Sequence, residues 1–166
     1  MRRIASLLPV LFLLGVASLF AASAGVGSPP GSGMPTIAPC FGTVEIVDAQ
    51  GGVGHFPIST SAPIYTHPGD TVALTLFYPS PLNPGDPTYK LAGYDVVDRG
   101  GHSHSVAFTQ VDSSIVDSGF VGYQITFPVV SSIRECWTAN EIVRVNHGPG
   151  TVPQTYIASV PIKIVP

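Results

Sequence analysis

Residues 156–165 alternate without interruption. Tyr156, Ala158, Val160, Ile162 and Ile164 fall on one face, and Ile157, Ser159, Pro161, Lys163 and Val165 on the other. A period of two marks a β-strand, whose successive side chains point to opposite sides. Pro161 has no N–H to give to a ladder, so this strand is expected to have a free edge there. The same period runs through residues 71–77, after the turn Pro68-Gly69-Asp70, and through Val121, Tyr123, Ile125 and Phe127. Val44 and Ile46 share one face of residues 41–49, which end at the turn Gln50-Gly51-Gly52. Residues 89–97 and 105–111 are separated by Asp98-Arg99-Gly100-Gly101, a hairpin signal. Residues 141–145 predict one more short strand. Between strands, residues 79–87 hold four prolines and form a stiff excursion.

No window beyond residue 24 carries a helical period, and there is no internal repeat. Short alternating segments separated by turn residues predict an all-β fold. The expected form is an antiparallel β-sandwich, immunoglobulin-like or related, of seven to eight strands. A closed barrel is the alternative. Asp117-Ser118-Gly119 ahead of Tyr123 resembles the turn before the corner tyrosine of immunoglobulin domains, with altered spacing.

The start of the chain breaks the alternation. Arg2 and Arg3 precede an apolar run from Ile4 to Phe20, and Ala22-Ser23-Ala24 closes it. A basic n-region, an apolar h-region and an A-x-A ending predict a secretory signal peptide over 1–24. The run is short for a bilayer span. Residues 25–39, rich in Gly, Pro and Ser, are expected to be a flexible arm, and 40–166 the sandwich domain. The expected location is extracellular, at the cell surface.

Charge narrows the partners. Charged residues make up 10% of the chain, against roughly 25% in ordinary domains. Removing Arg2 and Arg3 from the 7 basic residues leaves 5 against 10 acidic ones, a net charge near −5. That balance argues against nucleic acid and against an anionic membrane once the signal is cleaved. A surface poor in charge lacks the repulsion that keeps copies apart. The two cysteines, Cys40 and Cys136, predict a disulfide in an exported protein. Closing a loop of about 96 residues, it would contribute roughly 4–5 kcal/mol.

Candidate chemistry is sparse. His102 and His104 lie two apart beside a strand, where both rings can share a face and meet copper or zinc. The stretch His104-Ser105-Val106-Ala107-Phe108 resembles the segment that carries the first histidine ligand of cupredoxins, small secreted copper-binding sandwiches. That resemblance implies a cysteine closely followed by a second histidine. Here Cys136 is followed by Trp137-Thr138-Ala139-Asn140, and His147 comes much later. No cofactor is therefore expected, with a metal on His102 and His104 as the alternative. No G-x-S-x-G elbow, carboxylate pair or phosphate loop occurs, and no enzyme is expected. Trp137 is expected to be core, with sugar stacking as the alternative.

An exported sandwich with a flexible arm, low charge and an open edge can accept a strand from a neighbour. In that general character the chain looks like donor-strand pilus and thread subunits. The resemblance implies a structural subunit that self-associates into a homopolymer, with a donor segment around Ile37, Phe41, Val44 and Ile46. The alternative is a monomeric secreted module that binds a metal or a carbohydrate.

Overall fold

The computed structural model describes residues 33–59, 62–111, 119–130 and 133–166. The signal segment, the first part of the arm and the Asp117-Ser118 turn lie outside the described residues. The strands are β1 (Phe41–Val47), β2 (Val53–Pro57), β3 (Ile64–Thr66), β4 (Thr71–Pro79), β5 (Thr88–Val97), β6 (Ala107–Val111), β7 (Phe120–Pro128), β8 (Glu135–Asn146) and β9 (Gln154–Ile164).

They form two sheets. One has the order β2-β1-β4-β7-β6, the other β3-β9-β8-β5. Every neighbouring pair is antiparallel except β3 with β9. The fold is the expected all-β antiparallel sandwich. With β2 and β3 set aside, the order β1-β4-β7-β6 against β9-β8-β5 is the ABED and GFC order of an immunoglobulin sandwich.

Alternation builds the core. Val72, Leu74 and Leu76 of β4 point inward and are fully buried, as do Ala158, Val160 and Ile162 of β9. The central strand β4 is covered on its other face too. There Phe41 stacks on Phe77 with centroids 4.5 Å apart, and Phe120 meets Phe41 edge-on at 5.1 Å. That second aromatic layer is possible because Gly122 lies beneath the Phe77 ring, where a Cβ would come within 2.6 Å of it.

Several elements depart from the sequence expectation. The turn at Asp98 does not make a hairpin within one sheet. Val97 bridges Ser103, and then the chain crosses so that β6 pairs with β7 in the other sheet. β8 extends back to Glu135, beyond its expected span of 141–145, and the polar Asn140 in the added part is buried. β2 was not anticipated, since both of its faces meet solvent and leave little periodic signal. β3 has only 3 residues.

Two turns share one chemistry. Asp48 Oδ1 accepts the N–H groups of Gln50 and Gly52 at 2.9 and 2.7 Å. Asp98 Oδ1 accepts those of Gly100 and His102 at 2.8 and 2.9 Å. In each, a glycine follows at positive φ, 86° for Gly51 and 85° for Gly101, a region that favours glycine.

Candidate functional site

The arm docks on β9. Ile37 N–H donates to Ile157 O at 3.0 Å, and Ile157 N–H donates to Pro35 O at 3.0 Å. Thr36 therefore forms a parallel bridge with Ile157, on the side of β9 away from β8. Further along the same side, β3 pairs with Ile162, Lys163 and Ile164. Between these two contacts, no strand among the described residues covers β9. Backbone groups alternate in direction along a strand, so the missing N–H of Pro161 falls in that gap. The expected open edge is thus short and lies between the arm and β3.

Of the expected donor residues, Ile37 alone lies in the arm, half-buried against the core. Phe41, Val44 and Ile46 belong to β1, which pairs with β2 on one side and β4 on the other. A strand with both edges filled cannot be given to a neighbour without opening the sheet. Among these residues only Ile37 lies outside β1, in the arm that bridges β9.

The expected intramolecular disulfide is also corrected. Cys40 and Cys136 are both free and exposed. Cys40 N–H donates to Phe77 O at 2.8 Å. The next residue, Tyr78, stacks on Tyr89, which pairs with Val145 on β8. Cys136 stands nine residues earlier on that same strand, about 30 Å away at about 3.3 Å per residue. Disulfide bonding needs Cα atoms within about 7 Å. Cys136 also points outward, opposite to buried Trp137, and accepts from Lys163 Nζ at 3.5 Å. Burial pushes the Cys40 thiol above its ordinary range.

The histidines divide. His102 is 81% exposed and its Nδ1 lies 3.2 Å from Asp98 Oδ2. His104 is 17% exposed, with Nε2 3.6 Å from the same oxygen. Its ring lies flat on Trp137, centroids 3.7 Å apart. Trp137 is buried, and its Nε1 donates to Glu135 Oε2 at 2.9 Å. Asp98 is held below the ordinary carboxylate range, first by the backbone N–H of His102. Asp48 does the same turn-building work in residues 48–52, which include no histidine, and that assigns Asp98 to the turn. His147 follows the far end of β8, about 30 Å from Trp137 by the rise of a strand. It cannot complete a cupredoxin-like ligand set with His104. Among the described residues no group of three or more His, Cys, Asp or Glu side chains is placed to hold a metal.

Two features were not foreseen from the sequence. The first is an open groove of about 600 Å³ between the unpaired edges of β5 and β6. Tyr94 and Phe108 stack on each other in its wall, 5.5 Å apart, beside Tyr89, Lys90, Gln110 and Tyr123. Tyr123 Oη donates to Tyr89 O at 2.9 Å and ties the two sheets together.

The second is Glu141, which points into the core with 0% exposure. Tyr78 Oη donates to its Oε2 at 3.2 Å, and its Oε1 has no hydrogen-bond partner among the described residues. Burial pushes the carboxyl up to about 8, against the opposing hydrogen bond from Tyr78. Burial, and then the nearby Glu141 charge, push the Tyr78 hydroxyl up as well. The pair joins β4 to β8, the strands in the positions that immunoglobulin domains link by a disulfide.

These elements define an all-β, two-sheet sandwich with immunoglobulin strand order, two added edge strands and an arm docked on β9. No protein-family model, curated protein or solved structure matches the chain.

Proposed function

We propose that this protein is a secreted structural subunit of an extracellular fibre or surface assembly, and that its copies join by β-strand addition. The observation that carries this reading is the arm. It meets β9 through main-chain hydrogen bonds at Pro35 and Ile37, which flank the bridge of Thr36 to Ile157, and only Ala38 and Pro39 link it to Cys40. The same contact made in a neighbour uses the same bonds and the same half-buried Ile37, so exchange between copies leaves the local energetics unchanged. Low charge supports close packing of copies. The partner is a second copy of this chain, with no nucleic acid and no membrane.

Electron microscopy of the purified mature chain tests the reading. Filaments or sheets are expected, and deletion of residues 25–39 is expected to abolish arm-mediated assembly. A mature chain that stays monomeric at every concentration sinks the structural reading.

The groove between β5 and β6 favours a second reading, a monomeric carbohydrate-binding module. Exposed aromatic faces with hydroxyl and amide groups beside them suit a sugar ring. Titration with oligosaccharides tests it, and Tyr94→Ala should remove any binding observed.

A further inference from the structure

The most exposed large apolar side chains, at 62% to 84%, lie towards the two ends of the sandwich, while the less exposed Val53, Phe56, Tyr94 and Phe108 lie on β2, β5 and β6. Leu82 lies in the excursion after β4, and Val152 in the loop between β8 and β9. These two loops abut, since a Cβ on Gly148 would lie 3.2 Å from Gly85 O. Cys40 belongs to the same end of the molecule, beside Phe77 and the end of β4. At the other end stand Val130 and Ile133, in the chain between β7 and β8, and Tyr65 of β3. Tyr65 pairs with Lys163, and Lys163 pairs with Cys136. Each end therefore carries exposed apolar side chains and one exposed cysteine. Water-exposed apolar patches mark association sites, and one cysteine at each of two opposite ends allows a head-to-tail join.

We propose that copies of this chain associate end to end, with Cys40 of one copy joined to Cys136 of the next by a disulfide. Leu82 and Val152 of one copy then face Tyr65, Val130 and Ile133 of its neighbour. Because the contact joins two different ends, it does not close on itself and extends as a row. The oxidant is a small-molecule disulfide. A thiolate of one copy attacks it, forms a mixed disulfide and releases one small thiol. The second copy's thiolate then attacks the mixed disulfide and releases the other small thiol. Two protein thiols are oxidised and one small disulfide is reduced. Expected export to an oxidising compartment favours this outcome. The inference uses the ends of the sandwich rather than the β9 edge, and it stands apart from arm exchange.

The test incubates the full mature chain with reduced and oxidised glutathione, then separates it by non-reducing denaturing electrophoresis. A ladder of multimers that collapses on reduction is expected, with Cys40–Cys136 peptides predominating on mass-spectrometric mapping. C40S and C136S should each remain monomeric alone, and an equal mixture of them should stop at dimers. A chain first unfolded in urea should lose the preference and give all three pairings. Dimers of either single variant alone would mean like-with-like pairing and would overturn the proposal. So would the absence of any covalent product, or a folded chain no more selective than the unfolded one. Filament formation by the C40S/C136S double variant separates the two readings. Filaments without a ladder in the wild-type chain sink the disulfide proposal and keep the structural one. A ladder from the chain lacking residues 25–39 keeps the end-to-end contact even if arm exchange fails.

Discussion

Glu141 is the residue most at odds with its surroundings. A carboxylate deprived of water is costly, so the folded protein keeps the group protonated. Folded, it holds its proton up to about pH 8, whereas an ordinary glutamate releases it near 4.5. Folding therefore takes up a proton between those values. Its contribution to stability is full below about pH 4.5 and is lost as pH rises towards 8, by at most about 1.4 kcal/mol per pH unit. Denaturant melts across that range should show the decline, and Glu141→Gln should flatten it. A wild-type profile with no decline there would refute the assignment. The two histidines should differ in the same kind of experiment. His102→Ala removes an exposed ring and should change stability by less than about 0.5 kcal/mol. His104→Ala removes a ring stacked on buried Trp137 and should cost about 1–2 kcal/mol. Equal effects would contradict the stacking geometry.

At the scale of elements, pairing and cross-face packing act together. β4 is the centre of its sheet because its inward face is fully buried and its outward face is sealed by Phe77 under Phe41 and Phe120. Gly122 of β7 gives Phe77 its space. A methyl group there would meet the ring at 2.6 Å, and the ring is already stacked on Phe41. Gly122→Ala should therefore destabilise by about 1–3 kcal/mol, read from the denaturant midpoint. The variant melting like wild type would show that the aromatic layer can shift. β5 and β6 illustrate the limit of local signals. A turn of residues 98–101 looks like a hairpin because its Asp and Gly chemistry closes the chain tightly. Which sheet receives the next strand depends on β7, whose sequence lies beyond that turn.

For the whole molecule, cohesion comes from the core and from contacts between the two sheets rather than from a covalent staple. Tyr123 bonds to the backbone of β5, and Tyr78 to Glu141 of β8. A reducing agent should leave the melting temperature of the monomer unchanged. An internal bridge closing about 96 residues would instead contribute roughly 4–5 kcal/mol, visible as a large drop on reduction. With its cysteines about 30 Å apart along the strands, the sandwich directs any disulfide outward, to another molecule.

The sequence by itself determined the fold class. Alternation in β4, β7 and β9 follows from which side chains water excludes, and that pattern survives in a linear string. It also placed Ala158, Val160, Ile162 and Ile164 on the buried face of β9, and it put Trp137 in the core. Tertiary structure alone decided the rest. The pairing of β1 with β4, and of β3 with β9, joins segments far apart in the chain, and no local period encodes such partners. Burial of Glu141 was invisible because a carboxylate in a strand reads as solvent-facing until its neighbours are known. The two cysteines read as a pair from their number and expected compartment. Distance, which a sequence does not carry, placed them at opposite ends.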